Sequence, residues 1–147
     1  MSKELLSLAQ KVMKMAQKEG AQGARVSTRR SRSSSVEWRD SKLDRLREST
    51  SMSLGLVLYI DGRYSANSTS DLRPEALEAF VRENVAMTKV LAKDKHRKLP
   101  DPERYKERFT GDLHLDDKAA ESVDPMERRR AAAHLAEAAR SAPEAKK

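Results

Sequence analysis

Residues 53–72 read SLGLVLYIDGRYSANSTSDL, and the fold turns on this stretch. Leu54, Leu56, Leu58 and Ile60 alternate with Gly55, Val57 and Tyr59, so both faces of the segment are apolar. That pattern predicts a central strand covered on both sides. Asp61-Gly62 follows at once, and an Asp-Gly pair between β-rich runs signals a two-residue hairpin turn, because both central positions favour positive φ. Arg63 to Thr69 form the return strand. Ser70-Asp71 then offer side-chain oxygens to open a helix.

Working outward, Ser2 is placed to cap a helix from Lys3 to Glu19, with Gly20 as its stop. Leu5, Leu8, Ala9, Val12 and Ala16 line one face of it, widened by Leu6 and Met13. Ala24, Val26 and Thr28 alternate with Arg25, Ser27 and Arg29, a half-exposed strand. Ser31 to Ser35 read equally as strand extension, bulge or loop. Val36 and Trp38 resume the alternation, and Asp40-Ser41 make a turn. Leu43 and Leu46, three apart, break the period of two and predict a bulge in the strand from Lys42 to Thr50. A second helix starts near Pro74, with Leu77, Phe80, Val81, Val85, Thr88 and Leu91 as its core stripe.

Beyond Lys93 the chain turns basic and polar, and Pro100 and Pro102 forbid a helix. Leu99 to Phe109 read as a connector anchored by Tyr105 and Phe109. Asp124-Pro125-Met126-Glu127 combines a cap, a proline at the first helical position and a glutamate three residues after the cap. A helix from Pro125 to about Ser141 follows, its face formed by Ala132, Leu135, Ala136 and Ala139. With one large side chain, that face buries little alone.

Several of these runs, taken in order, resemble a known family. The glycine-bearing apolar strand, the Asp-Gly-Arg turn, the small and hydroxyl residues of the return strand and the following Asp-Leu are similar to the amino-terminal domain of the TldD/PmbA zinc metalloproteases, also called modulators of DNA gyrase. Upstream, SRSSSVEWRDSKLDRLREST resembles that family's serine- and arginine-rich strand, turn and K-L-(D/E) strand. The order of elements agrees from about Leu5 to about Tyr105. Ser65 departs from the pattern, which carries glycine after the aromatic residue of the turn.

At 147 residues the chain is long enough for one modest core. It has no cysteine, which excludes disulfides and thiolate metal sites. No apolar run is long enough to span a membrane, and the amino terminus does not read as a signal peptide. These features point to a soluble, cytoplasmic protein. The net charge of +7 raises the question of nucleic acid. The excess lies in Arg25, Arg29, Arg30, Arg32, Arg39, Lys42, Arg45 and Arg47, and in Lys89, Lys93, Lys95, Arg97 and Lys98. Glu37, Asp40, Asp44 and Glu48 dilute the first set, and Trp38 is its one aromatic. A solvated mixed-charge face is the better account.

No catalytic constellation emerges. The family's zinc sits on a helix with two histidines on one face and a glutamate as general base. Here His96, His114 and His134 are dispersed, and His134 with Glu137 reads as a helical surface pair. Ser31 to Ser35 lack a histidine partner or a nucleophile elbow, and the five glycines form no phosphate cradle. Asp40 and Asp61 are explained by turns, and Trp38 by a core. No catalytic, cofactor-binding or metal residue is assigned.

The expected fold is α+β: an antiparallel-rich mixed sheet of four to five strands, two long helices on one face, and a detached C-terminal helix. Residues 1–109 are expected to form the family-like domain. Residues 110–147 would be a connector and helix leading toward a catalytic domain outside this sequence. The resemblance implies a non-catalytic role in homo- or hetero-oligomer assembly with family members and in enclosing an unfolded or extended peptide substrate. It implies zinc only in a full-length member. The alternatives are a stand-alone module that binds peptide by strand addition and a basic nucleic-acid-binding domain.

Overall fold

The computed structural model describes residues 3–99, 101–107, 109–115 and 117–142. The element order is α1 (Lys3–Lys18), β1 (Gly23–Arg39), β2 (Lys42–Ile60), β3 (Arg63–Thr69), α2 (Pro74–Val90) and α3 (Pro125–Ser141), with short 3-10 turns at Pro102–Tyr105 and Lys118–Ser122. The class is α+β. The chain divides into two compact units, Met1–Ser31 with Ser51–Glu107, and Arg32–Thr50 with Arg108–Lys147.

The sheet has three strands in the order β1-β2-β3, not the four to five expected. What reads as five short strands is two long ones and a short one, of 17, 19 and 7 residues. Ser31 to Ser35 and Ser49 to Ser53 contain no glycine or proline to stop a strand, and each strand supplies the other's backbone partners. Hydroxyl residues alone do not end a ladder. The sheet is antiparallel rather than mixed, because both connections are two-residue turns.

Both turns have the φ signs of type I′. Asp40 and Ser41 sit at φ 48° and 64°, Asp61 and Gly62 at φ 48° and 75°. Counting back from Asp40-Ser41 in strict alternation would set Ser27 opposite Leu54. Ser27 faces Gly55 instead, since a Cβ on Gly55 would lie 2.7 Å from the Ser27 Oγ and one on Gly23 would lie 3.6 Å from the Tyr59 Cβ. β2 therefore holds one extra residue, the bulge that the Leu43–Leu46 spacing predicts. The ion pair between Glu37 and Arg45 at 3.7 Å fits the shifted register.

In the first unit, Leu54, Leu56, Leu58 and Ile60 of β2 form one core with Val12 and Ala16 of α1 and Leu77, Val81 and Val85 of α2. Both helices therefore bury their stripes on the even-numbered face of β2. The opposite face is also covered at its turn end, with Val57 8% exposed. Predicted and observed helix stripes agree apart from Leu6 and Leu91, which are exposed, and Asn84, which is buried. Asn84 satisfies its amide on the Phe80 carbonyl at 2.7 Å.

Two expectations for the joints are corrected. The N-cap of α2 is Arg73 and makes no side-chain cap bond. The Asp71 carboxylate instead accepts the Arg73 backbone N–H at 3.2 Å, and Pro74, lacking an N–H, leaves one fewer donor to cap. Tyr105 and Phe109 do not anchor the connector, being 54% and 68% exposed. The anchoring falls to residues just after α2. The Asp94 N–H donates to the Gly62 carbonyl at 2.8 Å, the Arg97 guanidinium lies 4.5 Å from the Tyr64 ring centroid, and Leu99 packs beside Gly23.

In the second unit α3 spans Pro125–Ser141 as expected, with Asp124 accepting the Met126 N–H at 2.9 Å. Its half-buried face is Arg128, Arg129, Ala132, Ala133 and Ala136, while Leu135 is 69% exposed. The face is thus rotated away from the expected Leu135 and Ala139. Arg128 pairs with Glu48 at 3.8 Å, and Arg140 hydrogen-bonds Ser41. Twelve helical residues at about 1.5 Å rise match seven strand residues at about 3.3 Å to within a few ångströms, so α3 lies lengthwise along the β2 side of the hairpin arm. Alanines on the half-buried face let the backbones approach.

Candidate functional site

The candidate site is the outer edge of β1 in the first unit. Its geometry follows from the β2–β3 register. Ile60 pairs with Arg63 across the two-residue turn, and Leu58↔Ser65, Leu56↔Asn67 and Leu54↔Thr69 follow. A turn of this kind closes on a hydrogen-bonded pair, and such pairs recur at every second residue. The even residues of β2 therefore bond to β3, and Ser53, Gly55, Val57 and Tyr59 turn their N–H and C=O groups toward β1. With Gly23 opposite Tyr59 and Ser27 opposite Gly55, the residues of β1 that answer them are Gly23, Arg25, Ser27 and Arg29. Ala24, Val26, Thr28 and Arg30 point their backbone groups outward. Among the described residues, none of these outward groups has a hydrogen-bond partner.

The side chains flanking this edge sort by face. Ala24 and Val26 pack on the core, and the Thr28 hydroxyl donates to the Leu5 carbonyl of α1 at 3.3 Å. Arg25, Ser27 and Arg29 are exposed on the opposite face, and Arg30 is exposed as well. The β2–β3 end of the same unit is heavily braced. The Gln22 side chain donates to the Asp61 carboxylate at 2.6 Å and accepts the Asp61 N–H at 2.9 Å. Arg63 donates to the Leu91 carbonyl at 2.9 Å. The Tyr59 and Tyr64 rings meet edge to face at 5.3 Å between centroids. The result is a sheet braced at its β2–β3 turn, with β1 as one of its two edge strands.

Sequence reasoning missed one internal polar contact. The Ser65 and Thr88 hydroxyls are 2.6 Å apart, and both residues are buried. Thr88 donates its single proton to the Asn84 carbonyl at 2.6 Å, so Ser65 must donate to Thr88. Serine at the position where the family pattern carries glycine is thus tied to α2. Asp71 and Arg73 form a second polar pair, with Arg73 Nε 2.9 Å from the carboxylate. The hydrogen bonds from the Arg73 side chain, then from its backbone N–H, lower the Asp71 pKa to about 2.

The three histidines are not brought into a site. His96 and His114 lie in loops where their backbone N–H groups bond to Asp94 and Asp112 at 2.9 and 2.8 Å, and His134 is exposed on α3, as is Glu137. Among the described residues no group of three or more His, Cys, Asp or Glu side chains is gathered to hold a metal ion. Ser31 to Ser35 lie within β1. Of the arm's basic residues, Arg39 pairs with Asp44 at 3.5 Å and Arg45 with Glu37 at 3.7 Å. Two open recesses flank α1: one of about 450 Å³ is lined by Lys3, Glu4, Ser7, Leu8 and Lys11, and one of about 220 Å³ by residues including Met15, Lys18 and Glu78. No described helix is long and apolar enough to cross a membrane.

Comparison with known proteins agrees with the element order. No curated protein matches the chain. Residues 24–88 match the model of PmbA/TldA metallopeptidase domain 1. Among solved structures, the chain is similar to a proposed modulator of DNA gyrase from Bacteroides thetaiotaomicron, at 38% identity and a TM-score of 0.87. That similarity covers 97% of this chain and 32% of the other, so the chain spans about a third of its relative's length. The match begins in β1 and closes at Thr88 of α2, taking in the long hairpin, the Asp-Gly turn and the core-facing stripe. Residues 24–88 therefore carry the sequence pattern of domain 1 of the PmbA/TldA metallopeptidase family, within a fold similar to that of the Bacteroides protein.

Proposed function

We propose that this chain acts as the non-catalytic amino-terminal domain of a PmbA/TldA-type metallopeptidase, helping to assemble homo- or hetero-oligomers of family members and to enclose the cleft that takes an extended peptide. The domain match over residues 24–88 is the observation that carries this reading. Zinc and the general base would come from other sequence of such a protein, and residues 110–147 would lead toward it. A cytoplasmic location is part of the same proposal.

The test is reconstitution. The chain alone is expected to bind no stoichiometric zinc and to cleave no peptide. Supplied to a family metallopeptidase lacking its own first domain, it should restore oligomer formation and peptide hydrolysis together. Tight zinc binding by this chain, lost on substituting His96, His114 or His134, would overturn the reading.

A second reading is supported by a separate observation, the open backbone of Ala24, Val26, Thr28 and Arg30. In it, the chain is a module that takes peptide by strand addition. A nucleic-acid role draws less support, because the ion pairs of Arg39 and Arg45 neutralise part of the basic arm. Phosphate contacts would show as a steep loss of affinity with added salt.

A further inference from the structure

Of the features of this fold, the β1 edge combines two independent properties. Its outward backbone groups are unpaired among the described residues, and its flanking charge is of one sign. Between Gly23 and Ser31 the strand carries Arg25, Arg29 and Arg30 and no aspartate or glutamate. A sheet edge of this kind accepts another strand through its main chain, and the flanking side chains select which strand.

A second copy of the chain paired at the centre of this basic stretch is a poor occupant. Two β1 edges paired antiparallel about Ser27 would set Arg25 against Arg29 on both sides, and like charges directly opposite are destabilising. The same geometry suits the opposite charge. Ala24, Val26, Thr28 and Arg30 would make the hydrogen-bonded pairs with an added antiparallel strand. Arg25, Ser27 and Arg29 would then occupy the closer, non-hydrogen-bonded positions, where side chains approach most nearly. Arg25 and Arg29 are on one face and four residues apart, with the small Ser27 between them.

We propose that the β1 edge from Ala24 to Arg30 takes an acidic, extended peptide as an added strand, with carboxylates at positions i and i+4 set against Arg25 and Arg29. This rests on the strand-addition reading and adds to it the charge class of the peptide. Selection acts on the face bearing Arg25 and Arg29, while the main chain supplies the sequence-independent part of the binding.

The experiment measures fluorescence anisotropy of three short labelled peptides on the full chain. One has glutamates four apart on a Thr/Val/Ser background, one has lysines in their place, and one is the glutamate peptide N-methylated at alternate amides. The glutamate peptide should bind about tenfold more tightly than its lysine twin, since two attractive cross-strand pairs become repulsive. N-methylation should remove binding. In the Arg25→Glu/Arg29→Glu variant, checked for folding by circular dichroism, the preference should invert. Equal affinity for the glutamate and lysine peptides overturns the acidic assignment while leaving strand addition standing. Undiminished binding of the N-methylated peptide, or no binding of any peptide, overturns strand addition and the proposal with it.

Discussion

At the scale of single residues, the buried hydroxyl pair gives the sharpest test. Ser65 donates to Thr88, which donates to the Asn84 carbonyl. Thr88→Val keeps the shape but leaves the Ser65 proton without its acceptor, at a cost of about 1–3 kcal/mol. Ser65→Ala leaves only a lone pair of Thr88 unmet and should cost less, about 1 kcal/mol. The double variant should recover part of the loss, and urea unfolding of the four proteins measures it. Strict additivity would mean that the hydroxyls do not interact. Asp71 supplies a pH test. Its pKa is lowered from 3.8 to about 2, so its contribution to stability is fully present above about pH 4 and is lost as the pH falls toward 2. An NMR titration should place the Asp71 midpoint near 2, and Arg73→Gln should return it toward the ordinary carboxylate range. Neither pair was legible in the sequence. Ser65 and Thr88 are 23 residues apart, and only the fold brings β3 under α2. The Asp71–Arg73 pair is hidden because an aspartate just before a helix reads first as its cap.

At the scale of elements, the turns and helices were legible because their signals are local. Asp61-Gly62 names its turn through the φ values that glycine tolerates, and Pro74 and Pro125 name helix starts through fixed φ. Gly62 sits at φ 75°, so Gly62→Val should cost more than about 1 kcal/mol. Chemical denaturation checks this, and a neutral result would remove the turn assignment. The strand count was not legible, because the serine-rich junctions contain nothing that must break a strand and nothing that must continue one. The buried face of α3 was not legible either. A helix with alanine on several sides has little contrast by which to orient it, and the lone Leu135 pointed the wrong way. The bulge was readable from Leu43 and Leu46, yet its consequence was not. Only the shifted register shows which backbone groups of β1 face outward, and so turns Arg25 and Arg29 from a solvated charged face into the flanks of an open edge.

At the scale of the whole molecule, the apolar burial is concentrated in one unit. The cluster from Val12 to Val85 lies wholly within Met1–Ser31 and Ser51–Glu107, whereas α3 contains no buried residue. Its alanines remove little apolar area from water, and Leu135 removes almost none. Against this stands the backbone entropy of every residue that the helix orders, about 1 kcal/mol or more each. Strong caps and good helix propensity soften that cost without a core to offset it. The helix should therefore open independently of the first unit, at a free energy well below that of global unfolding. Deleting everything after Asp124 should leave the thermal midpoint of the remainder unchanged to within about 4 °C, the shift that about 1 kcal/mol produces in a domain of this size. Amide exchange on a verified monomer should then be slowest from Leu54 to Ile60 and much faster throughout Pro125–Ser141. Exchange as slow in α3 as in β2, or a larger drop in midpoint on truncation, would show that the helix contributes to the stability of the core rather than lying outside it.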